Sequence, residues 1–227
     1  MTPTASRTRF VYRVVTIDGP AGAGKSTVAR LLADRLGWRF LDTGAMYRVV
    51  TLAALREEVD LEDADALDRL AARLDAAFPP GKALLGGEDV SRAIRDVAVT
   101  QASRFIADCA AVRKRLVAWQ RAFAEAEHVV TEGRDQGTIV FPDAPHKFFV
   151  TATDEERARR RLAELLAKGA ETTFEVVLTD QRARDARDAS RAIAPMRPAA
   201  EAETIDTTGM TIEQVVDLLL RKVLPSS

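Results

Sequence analysis

One cysteine and two histidines in 227 residues leave no disulfide framework and no Cys/His metal site to be read. Cys109, His128 and His146 are accordingly expected to be structural. Charge of one sign is missing as well: 33 basic residues face 34 acidic ones, a formal net charge of -1. A general nucleic-acid binder would be strongly basic, so no nucleic-acid partner is expected. No apolar run is long enough to span a bilayer, and the opening MTPTASRTRFVY lacks the apolar core of a signal peptide. The expectation is a soluble, cytoplasmic protein without a membrane partner. Internal repeats and low-complexity linkers are also absent, and the length suits one domain that can bury a full core.

What is present is an alternation of short apolar runs and helical patterns. YRVVTI, RFL, HVVTEG, KFFVTA and TIDT read as strands. Helical spacing covers 24–36, 45–58, 65–74 and 91–127, the last with a break at 108–111. Further helices follow at 153–169 and 173–187 and at the C-terminal end. Thr153 with Glu156, and Thr211 with Gln214, form capping-box patterns, and Met210 with Val215 suits a hydrophobic staple. Between 78 and 90, FPPGKALLGGEDV carries Pro-Pro and Gly-Gly punctuation and reads as a small inserted hairpin or loop. Strands alternating with helices predict an α/β fold, a central parallel sheet covered on both faces in three α/β/α layers.

The segment IDGPAGAGKST lies between the first strand and the first helix. Gly19, Gly24, Lys25 and Ser26 match G-x-x-x-x-G-K-[ST] in the right context. Glycines let backbone N–H groups curl around an anion, and the helix N-terminus adds partial positive charge. Gly19, Pro20, Ala21, Gly22, Ala23, Gly24, Lys25, Ser26 and Thr27 are therefore the expected cradle for the phosphates of a nucleoside triphosphate. Lys25 is expected to bridge the β- and γ-phosphates, and the Ser26 hydroxyl to ligate Mg²⁺.

This loop does not name the phosphate acceptor. The guanine-reading N-K-x-D of a GTPase switch is missing from the chain. An alcohol acceptor usually wants a carboxylate to take its proton. A monophosphate acceptor, with a second pKa near ~6, is already an anionic nucleophile at neutral pH. It needs neutralisation instead, for which arginine, forked and permanently charged, is the suitable side chain. Arginine outnumbers lysine 27 to 6. LDTGAMYR sets Arg48 just after a strand, TEGRDQGT sets Arg134 between glycines at the end of another, and RDARDASR holds Arg184, Arg187 and Arg191 around Asp185 and Asp188. Arg48 and Arg134 are the strongest candidates for gripping a second phosphate.

TIDGPAGAGKSTVA, LDTGAMYR, GGEDVSRAIR, VVTEGRDQGT, VFPDAPHKFFVTATDEERARRR, RDARDASRAIAPM and TIDTTGMTIEQV together resemble bacterial cytidylate kinases, in the family's order, over nearly all of 14–216. The resemblance implies an adenylate-kinase-like P-loop fold with a small monophosphate-binding insert and a mobile lid. It implies one domain, 13–227, behind a flexible tail at 1–12. The acceptor region would cover about 43–113 with the insert at 76–100, and the lid about 169–191. ATP and CMP or dCMP would be the partners, with Mg²⁺ accompanying ATP and a monomer as the working unit. Arg48, Arg134 and Arg191 would hold the acceptor phosphate, and with Lys25 form the catalytic set. Arg113, Ser103 and Asp135 would read cytosine, Asp188 and Arg184 would hold the ribose, and Thr43 and Tyr47 would line the pocket. Arg157 and Arg161 would reach ATP.

Departures from the family pattern are visible too. Gln136 stands where an apolar residue is usual, a change expected to alter packing beside the base pocket. The insert is short, the spacing from Ser103 to Arg113 is one residue longer, and Glu132 replaces an aspartate near the metal. A carboxylate beside Arg or Ser complements the cytosine amino group and opposes the uracil carbonyl, so CMP should be preferred over UMP. Two other readings stay open on the residues alone: a P-loop kinase acting on an alcohol, and an ATP-binding module without turnover.

Overall fold

The structure, a computed structural model, describes residues 13–167 and 169–224. The expected tail at 1–12 lies outside them. Eight strands and eight helices follow one another among the described residues. They are β1 (Val14–Asp18), α1 (Lys25–Leu36), β2 (Arg39–Asp42), α2 (Thr43–Arg56) and α3 (Ala64–Ala72). Next come β3 (Ala76–Ala77), β4 (Leu84–Leu85), β5 (Glu88–Asp89), α4 (Val97–Asp108), α5 (Ala110–Ala124) and β6 (Val129–Gly133). The chain ends with β7 (His146–Thr151), α6 (Asp154–Ala167), α7 (Phe174–Ser190), β8 (Glu203–Asp206) and α8 (Ile212–Val223). A 3-10 turn (Ala93–Arg95) precedes α4, and a single π-helical turn (Gln136–Val140) follows β6.

β1 sits at the centre of a five-stranded sheet of order β2-β6-β1-β7-β8, parallel throughout. Its neighbours pair in register, Val14 with Val129 on one side and Val15 with His146 on the other. Such a strand is buried on both faces, which is why it reads as a β-branched run. Val15, Ile17, Val130, Phe148 and Val150 pack one face against Val28, Leu32, Val216 and Leu219 of α1 and α8. Leu41 and Val129 meet Met46, Leu67, Ile106 and Leu116 on the other. The expected three layers are therefore present. From β1 the chain first moves to one edge of the sheet and later crosses to the other. That reversal opens a crevice beyond the carboxyl end of β1, the usual place for a ligand in such a sheet.

Helix boundaries follow local chemistry. Gly37, at φ 67°, ends α1, and its N–H and that of Trp38 return to the last turn. The predicted break at 108–111 falls on Cys109, an extended residue separating α4 from α5. The Thr211–Gln214 capping box forms in both directions, and Met210 and Val215 join the same apolar cluster. The insert is more than the expected hairpin. Ala76–Ala77 adds a third strand to the β4–β5 pair, which turns through Gly86 and Gly87 at φ 56° and 80°. Ala83, Val90 and Ile94 seat this small sheet on Ala45, Val49 and Leu52 of α2. A two-residue strand carries no alternation to read, so its pairing depends on this packing.

Gly19 closes against the sheet so tightly that a Cβ there would lie 2.0 Å from the Val150 carbonyl oxygen, at φ 142°. Gly19→Ala must therefore move backbone, at a cost on the order of 3 kcal/mol or more. Thermal unfolding should register this as a Tm lower by roughly 6–12 °C. An unchanged Tm would contradict the close approach.

Candidate active site

The P-loop leaves β1 at Gly19 and enters α1 at Lys25, with Gly22 and Gly24 at φ 76° and 82°. These left-handed values are open to glycine at little cost and let successive amides face one point. Lys25 is buried at the helix N-terminus and its Nζ donates to the Pro20 carbonyl at 2.7 Å. Burial lowers its pKa to about 7, assisted by the positive charge of Arg134. Ser26 and Thr27 face solvent, and the Ser26 hydroxyl donates to Glu132 Oε1, on β6, at 3.1 Å. Two hard oxygens meeting beside a phosphate cradle fit a divalent cation. The described residues contain no group of three or more His, Cys, Asp or Glu placed to hold a metal. Any such ion would take its remaining ligands from phosphate and water, as Mg²⁺ commonly does.

The loop tip is held from the far side by α6 and α7. The buried Arg157 guanidinium donates to the Ala21 carbonyl at 2.8 Å and pairs with Asp185, which accepts the Ala21 N–H at 3.3 Å. A Cβ on Gly22 would meet Gln181 Nε2 at 2.4 Å.

Beyond the end of β6, Arg134 donates to Asp188 Oδ2 at 3.0 Å, and Arg191 reaches the other oxygen of Asp188 at 2.7 Å. Arg191 also contacts Asp108 at 3.1 Å, so α4 and α7 meet across this point. Arg113 and Asp135 form a buried ion pair, and the Arg113 guanidinium lies 5.7 Å over the Tyr47 ring. Burial raises the Tyr47 phenol to about 12, so it is a neutral donor throughout the working pH range. The Thr43 hydroxyl donates to the Glu132 carbonyl at 2.6 Å, fixing the start of α2 against β6.

Arg48 lies 3.5 Å from Asp42, which also accepts the Ala45 N–H and so caps α2. The Arg48 Nε is buried without a hydrogen-bond partner, and burial lowers its pKa. Arg184 is open to solvent but crowded by protein. Desolvation, with repulsion from Arg134 and Arg48, brings its pKa down to about 10. Lys25, Arg48, Arg134 and Arg184 thus repel one another across a single cleft. A polyanion is the ligand such a cluster favours.

The structure therefore brings together Lys25, Thr43, Tyr47, Arg48, Arg113, Arg134, Asp135, Arg184, Asp188 and Arg191. It does not bring in Ser103, whose hydroxyl turns back to the Thr100 carbonyl of its own helix at 2.7 Å. Arg161 pairs with Glu164 on the surface, and Arg157 is occupied with the P-loop backbone. The Gln136 side chain is buried, accepting from Thr131 at 2.9 Å and donating to Gln120 at 3.1 Å, because a buried amide needs such partners. Asp18 and Gln181 were not anticipated, nor was the contact of Asp185 with the P-loop. For Asp18 the available signal was a carboxylate closing an apolar strand.

A family model described as cytidylate kinase matches residues 15–224. A cytidylate kinase from Pseudomonas entomophila is 50% identical over 209 residues, covering 89% of this chain and 92% of that protein. A cytidylate kinase from Photorhabdus laumondii is 48% identical over 211 residues, covering 91% and 93%. A crystal structure of an uncharacterized protein from Eubacterium ventriosum shares the fold, with a TM-score of 0.51 and 12% identity, covering 94% of this chain and 99% of that one. With its P-loop, its opposed arginines and this extent of identity, the chain belongs to the cytidylate kinase family.

Proposed function

We propose that the chain transfers the γ-phosphoryl group of ATP directly to the phosphate of CMP or dCMP, giving ADP and CDP or dCDP in pyrimidine nucleotide metabolism. The carrying observation is the convergence of Lys25 with Arg48, Arg134 and Arg184 on one cleft, beside the buried Arg113–Asp135 pair. One side of the cleft is a triphosphate cradle, and the other suits a second phosphate with a base behind it.

The acceptor oxygen is ionised near neutral pH, its second pKa being near ~6, so no general base is required. Arg48 and Arg134 would grip the CMP phosphate and Arg191 would join them, holding the oxygen in line. Asp188 orients both Arg134 and Arg191, and would bind the ribose together with Arg184. Asp135 and Arg113 would read cytosine above Tyr47, with Thr43 and, after rotation of its hydroxyl, Ser103 at the pocket edge. Mg²⁺ bound with ATP supplies neutralisation of the phosphates, and Ser26 with Glu132 would hold it. Arg157 serves ATP through the Ala21 backbone, while Arg161 would reach a nucleotide by leaving Glu164. Residues 43–113, with the small sheet inside 76–100, would form the acceptor region, and 169–191 the lid whose closure excludes water. The reading carries a monomer in the cytoplasm. No helix among the described residues is long and apolar enough to cross a membrane.

A coupled ADP-release assay across nucleoside monophosphates tests this. CMP and dCMP should be turned over with kcat/KM well above UMP, and equal values for CMP and UMP would defeat the base pocket. Turnover of a hydroxyl compound but not CMP would move the chain to the alcohol kinases. ATP binding without any turnover would make it a nucleotide-binding module.

A further inference from the structure

Asp18 is 3% exposed and ends β1, one residue before the P-loop begins. Its charge acts on Lys25 of that loop, but its hydrogen bonds go elsewhere. Oδ1 accepts the Gln136 N–H at 2.9 Å, and Oδ2 accepts the Gly137 N–H at 2.7 Å. These amides open the π-helical turn Gln136–Val140, and first-turn amides have no partner within their own helix. Both residues are buried, so leaving the amides bare would be costly.

The residue placed to satisfy them locally is Asp135, at the N-cap position, where aspartate is a preferred cap. It makes no capping bond with its side chain, and its carboxylate is turned to Arg113 instead. If Asp135 turned away to cap its own turn, Arg113 would lose its buried carboxylate partner and keep its contacts to the Ala107 carbonyl and the Tyr47 ring. With Asp18 holding both amides, the Asp135 carboxylate stays turned to Arg113.

We infer that Asp18 is a positioning residue for base recognition: it caps the Gln136 turn from the neighbouring strand and thereby releases the Asp135 carboxylate to Arg113 and the acceptor base. Asp18 touches no substrate and acts through the loop that carries Arg134 and Asp135. The inference rests on the proposed CMP kinase function.

The consequence is specific. With Asn at 18, one amide keeps an acceptor while the other faces an NH₂ group. The bare amide then attracts the Asp135 carboxylate away from Arg113. A displaced Asp135 neither accepts from the cytosine amino group nor repels the uracil carbonyl. A merely structural defect would lower turnover of both substrates together.

The test compares wild type, Asp18→Asn and Gly137→Ala for kcat/KM with CMP and with UMP, alongside ATP affinity from titration with a fluorescent ATP analogue. For Asp18→Asn the CMP/UMP ratio should fall about tenfold, the scale of a lost cap or charged hydrogen bond. KM for CMP should rise while ATP affinity stays within about threefold. Gly137→Ala keeps the carboxylate but sets a methyl 3.0 Å from Thr16 Oγ1 and 3.5 Å from Asp18 Oδ2. It should move the ratio the same way by about threefold, and it decides the question where Asp18→Asn fails to fold. A ratio unchanged in the folded variants overturns the role of Asp18. A wild-type chain that leaves CMP unphosphorylated overturns the proposed function itself, so the two failures are distinguishable.

Discussion

Arg134→Ala should lower kcat/KM for CMP by about 10²–10³, the usual loss when a charge-stabilising donor is removed from a reacting centre. Three structural facts set the size. Arg134 directly follows β6, next to Gly133, whose pairing with Asp18 anchors the start of the turn to the sheet. Its Nε holds Asp188, which is 4% exposed and is shared with Arg191. Removing the guanidinium leaves that carboxylate with Arg191 as its single ion-pair partner among the described residues and draws Arg191 from the position argued for it. Arg134→Lys keeps the charge but loses the fork, so at least a tenfold deficit should persist. Steady-state kinetics with CMP varied at saturating ATP reads both variants. A lysine variant equal to wild type would show that a point charge suffices and that bidentate grip plays no part.

Lys25→Met should reduce turnover by a comparable or larger factor, because in the proposed reaction the displaced charge would lie where negative charge builds up between donor and acceptor. A second signature separates charge from shape. With its pKa lowered to about 7, Lys25 is mostly neutral in the free protein at pH 8. ATP itself is fully ionised there, its terminal phosphate pKa being near ~6. Bound phosphates favour the ammonium form, so ATP binding at pH 8 should take up a proton. Calorimetry in buffers of different ionisation enthalpy measures this uptake, which Lys25→Met should abolish. Uptake retained in that variant would assign the proton to another group.

Stability should move the opposite way. Between pH 7 and 10.5 the unfolded chain carries a proton on Lys25 that the folded chain has lost. The contribution of this group to stability therefore rises with pH across that window. Below about pH 7 its full burial penalty is present. Lys25→Met should accordingly raise Tm most at the acid end of the range and progressively less toward pH 10, a gain of stability at the expense of activity.

What could be read from the residues alone was what is local. The P-loop carries its spacing, its glycines and its flanking elements within a dozen residues, and Gly24 and Lys25 fall where the pattern puts them. Cys109 interrupts a helical pattern, and the break is there. Arg48 and Arg134 announced themselves by standing at strand ends. The trans cap by Asp18 was not legible, because its partners are 118 and 119 residues away and neither is a side chain. The partners of Gln136 were not legible for a related reason: nothing local to a turn just after a strand says which buried groups its amide will meet, and they are Thr131 and Gln120. Arg157 and Arg161 stand four apart on one helix face. Only contact with Ala21 and Asp185 separates a buried brace from a surface ion pair.

The pairing of β1 with β6 also has a kinetic meaning. Val14 meets Val129 only after the whole intervening chain has been made and collapsed. Contacts of such long sequence separation are entropically late in folding. A nascent chain emerging from the ribosome can build α1 and the loop before it. The proposed acceptor pocket would not form until β6 slots in beside β1, and would not be complete until Asp188 follows. Competence to hold both nucleotides is therefore a property of the finished fold, and simultaneous binding of both reports native topology more stringently than helix content does.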